Sequence, residues 1–135
     1  MGIDHNSSSV EVARSRGHNA FLPAEFEQTR FNSPDTFDGI LLSHVAEHMT
    51  EVEASSLLTT YLHFLRPQGR VVLITPQEIG FNSDPTHVQF TDFEVLRRIA
   101  ERNGLRTEKQ YSFPFPRFAG RVFKYNEFVS ISVKQ

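Results

Sequence analysis

The run Thr36-Phe37-Asp38-Gly39-Ile40-Leu41-Leu42-Ser43-His44-Val45-Ala46-Glu47-His48 decides the fold of this chain. Its first part, Phe37 to Leu42, ends in consecutive aliphatic residues and predicts a strand. Its second part is polar and carries two histidines and a glutamate. Thr50 and Glu53 follow at the spacing of a capping box, in which each side chain satisfies a backbone donor left open by the first turn of a helix. Leu57, Leu58, Tyr61, Leu62 and Leu65 then recur at helical spacing, and Pro67 and Gly69 are expected to end that helix. Arg70-Val71-Val72-Leu73-Ile74-Thr75 is a continuous aliphatic run and predicts a strand covered on both faces. Strand, helix and strand in this order are the unit of an α/β sheet.

The flanks extend the pattern. Asn6 to Gly17 reads as a short helix, with Ser8 and Glu11 as its capping box, Arg14 and Arg16 in its last turn and Gly17 as its left-handed exit. A brief apolar element, Ala20-Phe21-Leu22, is broken by Pro23, and Asn32-Ser33-Pro34-Asp35 marks a turn. Pro76 to Gln89 is a connection long enough to be functional. Thr91 and Glu94 form a third capping box before a helix that faces inward through Phe93, Leu96, Ile99 and Ala100 and closes at Gly104. Leu105 to Phe113, the rigid Phe113-Pro114-Phe115-Pro116 and a strand over Phe128 to Val133 complete the chain, with Val129, Ile131 and Val133 on one face. The last two strands are expected to pair antiparallel.

Composition narrows the function classes. Hydrophobic residues make up 39% and charged residues 22% of 135 residues, which is the balance of a globular chain. One domain over residues 1–135 is expected, burying about two-thirds of its unfolded surface. Fourteen basic against sixteen acidic residues leave no broad positive field, so nucleic acid is not a favoured partner. With no cysteine, disulfides, thiolate catalysis and Cys-based metal centres are excluded, and a cytoplasmic location is the expectation. No window approaches the ~18 apolar residues of a membrane span.

Chemistry is expected at the carboxyl ends of the strands. Gly2-Ile3-Asp4 resembles the end of a strand in a nucleotide-binding unit, where an ionised carboxylate accepts both ribose hydroxyls; the competing reading of Asp4 is a helix-start residue. His44-x-x-Glu47-His48 matches the inverted zinc-peptidase pattern. That pattern needs one helix carrying all three residues and a third ligand, whereas here it directly follows a strand, and His63 and His87 lack a supporting motif. No metal is expected, and zinc hydrolysis is a remote alternative.

Taken together, Val10-Glu11-Val12-Ala13-Arg14, Thr36 to His48 and Phe64-Leu65-Arg66-Pro67-Gln68-Gly69-Arg70 to Pro76 resemble the class I S-adenosylmethionine-dependent methyltransferase family in order and spacing. The family shows an F-D-x-I/V strand, an L-E-H segment and L-K-P-G-G before its fifth strand; Ala46, Arg66 and Gln68 are mild departures. His87-Val88-Gln89-Phe90-Thr91 and Gly104-Leu105 also fit. The resemblance implies S-adenosylmethionine as cofactor, Asp4 as ribose ligand, and Phe21 to Glu25 as the adenine side, with Phe21 or Leu22 on the base and Glu25 toward its amino group. Ser43 and His44 would flank the methionine moiety and the reacting methyl, while Glu47 and His48 shape the turn beneath. For a hydroxyl or amine acceptor, most simply a small molecule, His44 is the first candidate base and His87 the second. A non-catalytic α/β binding or interaction domain is the alternative.

The family begins with a strand and a D/V-G-x-G-x-G loop, and nothing here supplies that signal. The resemblance therefore implies an incomplete Rossmann-like sheet, strands 2 to 7 of the family order 3-2-1-4-5-7-6, mostly parallel with an antiparallel C-terminal pair. Without strand 1, two edges face a central gap. The sequence thus predicts weakened cofactor binding and either a rearranged sheet joining strands 2 and 4 or self-association through the open edges.

Overall fold

The computed structural model describes all 135 residues. The elements are β1 (Gly2–Ile3), α1 (Ser7–Ser15), β2 (Ala20–Phe21), α2 (Pro23–Phe26), β3 (Phe37–Ser43), α3 (Glu51–Leu62), β4 (Leu65–Pro76), α4 (Glu78–Asn82), α5 (Phe93–Arg102), β5 (Leu105–Phe113) and β6 (Glu127–Lys134), with single 3₁₀ turns at Ala46–His48 and Arg117–Arg121. They form two sheets. β1 and β2 pair in parallel; β3, β4, β6 and β5 form a second sheet in that order, parallel between β3 and β4 and antiparallel on both sides of β6. This is the expected α/β order with a break between β1 and β3. Of the two outcomes foreseen for that gap, joining of the flanking strands does not occur: β1 and β3 stay in separate sheets. Phe26, from α2, bridges the halves by meeting the Phe64 ring edge-on at 5.1 Å.

Local chemistry corrects several boundaries. The cap of α1 is Asn6, whose side chain accepts from the Ser8 and Ser9 amides, and the cap of α5 is Asp92, which accepts from Glu94 and Val95. Each lies beside or near the Ser or Thr expected in that role, and an Asx side chain is an equal or better acceptor for the first-turn amides. The Thr50–Glu53 box forms as expected. Pro23 does not merely break β2 but opens α2, since its missing N–H costs nothing at a first helical position. Pro67 and Gly69 do not end α3, which stops at Leu62; they lie inside β4. There Phe37 pairs with Leu65 and Gly39 with Arg70, so residues 66–69 bulge out opposite Asp38, and Arg66 Nη1 reaches Asp38 Oδ1 at 2.6 Å.

The core lies on one face of the larger sheet. Val71 and Leu73 of β4, Phe128 of β6 and half-buried Ile40 and Leu42 of β3 meet Ala54 and Leu58 of α3 and Val95, Leu96, Ile99 and Ala100 of α5. β4 is thus fully covered on one face only, contrary to the expectation of two: Val72 and Ile74 are half-buried, and Leu41 beside them is 63% exposed. The Val129-Ile131-Val133 stripe does share a face, but it is this second one. Ser130 and Ser132 point toward the helices, where Gln110 and Thr107 of β5 supply their hydrogen-bond partners.

Glu51 ties α3 to α5 through Arg98 (2.8 Å) and Arg102 (3.3 Å). Hydrogen bonds from Arg98 hold the Glu51 carboxyl below its ordinary value of 4.5 against the opposing effect of burial. A carboxylate with a depressed folded pKa stabilises fully above its unfolded value and loses that contribution as pH falls through the folded one. Urea midpoints measured downward from pH 6 should therefore fall below pH about 4.5, and Glu51→Gln should flatten that fall.

Candidate functional site

The carboxyl ends of β1, β2 and β3 carry the residues that the sequence singles out. Asp4 follows β1 directly. One of its oxygens, Oδ1, accepts the Asn6 amide at 2.8 Å, and its side chain is 48% exposed. The helix-start reading of Asp4 holds for one oxygen: Oδ1 supports the turn into α1, while Oδ2 has no protein partner. Phe21 and Leu22 are half-buried at the end of β2. Glu25 is committed elsewhere, because its Oε2 accepts from the Leu22 amide (2.8 Å) and from Arg14 Nη2 (2.6 Å). These donors, led by the Leu22 amide, hold its carboxyl below the ordinary range. An adenine amino group would have to compete with an ion pair there.

Ser43 ends β3, and His44 then turns the chain with φ +56°, a left-handed conformation that few residues other than glycine adopt. The turn is secured by the His44 amide donating to Ile74 O at 3.0 Å. It aims the imidazole between two carboxylates: Nδ1 lies 3.2 Å from Glu47 Oε1 and Nε2 2.6 Å from Glu127 Oε1. Carboxylates only accept, so the trio needs one proton more than a neutral imidazole between two carboxylates. Glu127 begins β6 and is 83 residues away in sequence; no local motif marks it.

Glu47 sits on the 3₁₀ turn after β3 and is completely buried, and its Oε2 has no hydrogen-bond partner. Its backbone carbonyl accepts the Val88 and Gln89 amides, stapling this turn to the connection between β4 and α5. His48 is exposed on the same turn. His87, the second candidate base, is only 8% exposed: Nδ1 donates to Phe81 O at 2.7 Å, and the ring stacks on Phe81. The zinc-peptidase pattern is not realised as a helix, since His44 sits in a left-handed turn and only Ala46–His48 form a 3₁₀ turn. Phe81 and Phe90 are packing residues whose rings meet edge-on, with Phe90 in turn meeting Phe128, whereas Phe113 is exposed. No helix of the chain is long and apolar enough to cross a membrane.

Residues 1–73, just over half of the chain, match the family described as "Methyltransferase domain". A curated relative, an uncharacterized methyltransferase of Bacillus cytotoxicus, is 22% identical over 121 residues, covering 76% of this chain and 57% of that protein. The chain thus spans little more than half the length of this relative. The fold recurs in a SAM-dependent methyltransferase from Archaeoglobus fulgidus (TM-score 0.61, 18% identity, 98% of this chain and 84% of that one). It recurs as well in one from Methanosarcina mazei (0.68, 15%, 98% and 80%). A third case is the Burkholderia thailandensis 1,6-didemethyltoxoflavin-N1-methyltransferase, solved with 1,6-didemethyltoxoflavin and S-adenosylhomocysteine (0.63, 16%, 98% and 60%). A split sheet in the family's strand order and a family match running from β1 through the middle of β4 lead to one assignment: this chain belongs to the methyltransferase domain family.

Proposed function

We propose that the protein containing these residues transfers a methyl group from S-adenosylmethionine to a small-molecule acceptor. The observation that carries this reading is the placement of Asp4 and Ser43-His44 at the carboxyl ends of parallel strands on opposite sides of a break in the sheet. A ligand cleft in an open α/β sheet forms at such a switch point. The residues present fit the cofactor in part: Asp4 has a free carboxylate oxygen for a ribose hydroxyl, and Phe21 and Leu22 offer apolar surface for a base.

The bound cofactor supplies an electrophilic methyl on a sulfonium. The chain's own residues do the rest by positioning and proton transfer. Asp4 fixes the ribose and Glu25 the turn that carries Phe21 and Leu22, while Ser43 lines the methionine side. In the form of the trio that lacks the extra proton, His44, held at φ +56°, keeps its Nδ1–H on Glu47 and takes the acceptor's proton on the Nε2 lone pair, and the new Nε2–H donates to Glu127, whose side chain is 24% exposed. We assign His87 no part in this step, because its ring is enclosed and its Nδ1 is spent on Phe81. These 135 residues alone are expected to bind the cofactor weakly, and the free edge of β3 with Leu41 beside it favours self-association.

Calorimetry with S-adenosylhomocysteine tests the reading on a chain extended before Met1 by a strand and Gly-x-Gly-x-Gly segment. Binding should appear there, and Asp4→Ala should weaken it by about 10- to 100-fold, the loss of one or two hydrogen bonds to a charged acceptor. Unchanged affinity would remove Asp4 from the site. Absence of binding in the extended chain would favour a non-catalytic α/β binding domain.

A further inference from the structure

We propose that Glu47, His48 and His87 form a binding site for a divalent first-row transition ion of the Zn²⁺ type. One ligand atom from each of the three lies within 4.8 Å of the other two. Donors about 2.1 Å from a common ion stand about 3.4 Å apart in a tetrahedral site, so the cluster must close by about an ångström. His48 is exposed, with its Nδ1 held by the Thr86 carbonyl (3.4 Å) and hydroxyl (3.2 Å), which leaves Nε2 as the ligand atom.

Two independent features point to a cation. First, Glu47 is fully buried with Oε1 taken by His44 and Oε2 unpartnered, and it is the one buried side-chain polar atom in the chain left without a hydrogen bond. A buried carboxylate oxygen with no donor is costly, and a missing ion is a standard explanation. Second, His87 is prepared as a ligand. Its Nδ1–H donates to the Phe81 carbonyl at 2.7 Å, which in the neutral ring leaves the lone pair on Nε2. A backbone carbonyl behind the ring is the usual orienting partner of a metal-bound histidine. Asp84 Oδ2 lies 3.9 Å from that same Nε2 and adds negative charge beside it. The His48 and His87 rings sit 4.8 Å apart, centroid to centroid. The backbone staple from Glu47 O to Val88 and Gln89 holds the two ligand segments together without any ion. The sequence alone expects no metal because the His44-x-x-Glu47-His48 segment directly follows a strand and His87 has no supporting motif.

Two imidazoles and one carboxylate suit Zn²⁺, Co²⁺ or Fe²⁺ better than Mg²⁺ or Ca²⁺, which prefer all-oxygen shells. The 135-residue chain, stripped with chelator, should bind Zn²⁺ stoichiometrically in calorimetry and give the visible absorption of protein-bound Co²⁺. His48→Ala and His87→Ala should each weaken binding by at least about tenfold, and His18→Ala, a distant exposed histidine, should leave it unchanged. Zn²⁺ should raise the melting temperature of the parent chain but not of His48→Ala, a surface change that tests the site even if His87→Ala fails to fold. Equal Zn²⁺ affinity of the parent and His48→Ala chains, or no Co²⁺ spectrum, would overturn the proposal. It does not depend on cofactor binding, so its failure leaves the methyl-transfer reading untouched.

Discussion

Phe128→Ala should cost about 3–5 kcal/mol of folding stability, a large part of the about 5–15 kcal/mol available to a domain of this size. Phe128 is completely buried on the helix-covered face of β6, with Phe93 edge-on at 4.7 Å and Phe90 at 5.7 Å. The Arg117 guanidinium lies over the ring, 4.7 Å from its centroid. Truncation removes the hub that joins α5 to the middle of the sheet. The neighbours are held by β4 and α5 and have little freedom to collapse into the space. Urea denaturation followed by circular dichroism measures the loss; a decrease under about 1 kcal/mol would mean that Phe90 and Phe93 refill the site. Phe128→Leu should retain much of the stability, since it keeps most of the apolar volume.

Gly120→Ala should destabilise by about 3 kcal/mol or more, although it adds a single methyl group. A Cβ at Gly120 would stand 2.0 Å from Gln77 Oε1 and 2.6 Å from Gln77 Cβ. Gln77 cannot move aside cheaply. Its Nε2 donates to Ser112 Oγ (2.7 Å) and Glu127 O (2.9 Å), and its Oε1 accepts from Asn126 Nδ2 (3.0 Å). Asn126 is equally buried and binds the Phe115 amide and carbonyl. The clash thus propagates through a satisfied polar network, where each displaced group loses a partner without gaining water. Because Glu127 is part of this network and faces His44, the substitution should also disturb the proposed proton transfer. A melting temperature within about 2 °C of the parent would contradict the expectation.

Much of the fold is legible from periodicity. The strand at Phe37, the Thr50–Glu53 cap and the inward face of α5 all follow from local patterns whose structural counterparts are equally local. What escapes is what depends on distant partners. The stripe of Val129, Ile131 and Val133 has the pattern of a core face, yet the helices pack on the serine side, because α3 and α5 are the only sheet-packing helices the core contains. Residues 66–69 read as a helix stop because Pro and Gly break helices and strands alike, and only the register against Asp38 reveals a bulge. In the candidate site, Asp4, Ser43 and His44 are legible as residues at strand ends. Glu127 carries no motif, and Glu47, legible as part of the turn after β3, shows its burial and unpartnered oxygen only in the fold.

The position of β6 between β4 and β5 has a kinetic consequence. β5 hydrogen-bonds to no other strand, so it emerges from synthesis before its sole partner and must wait as an unpaired segment, with α5 lacking Phe128 as its floor. β6 also has to find β4 across 59 residues, counted from Val72 to Ile131, a non-local closure of the kind that slows folding. The larger sheet therefore cannot be completed until its last strand has entered between β4 and β5.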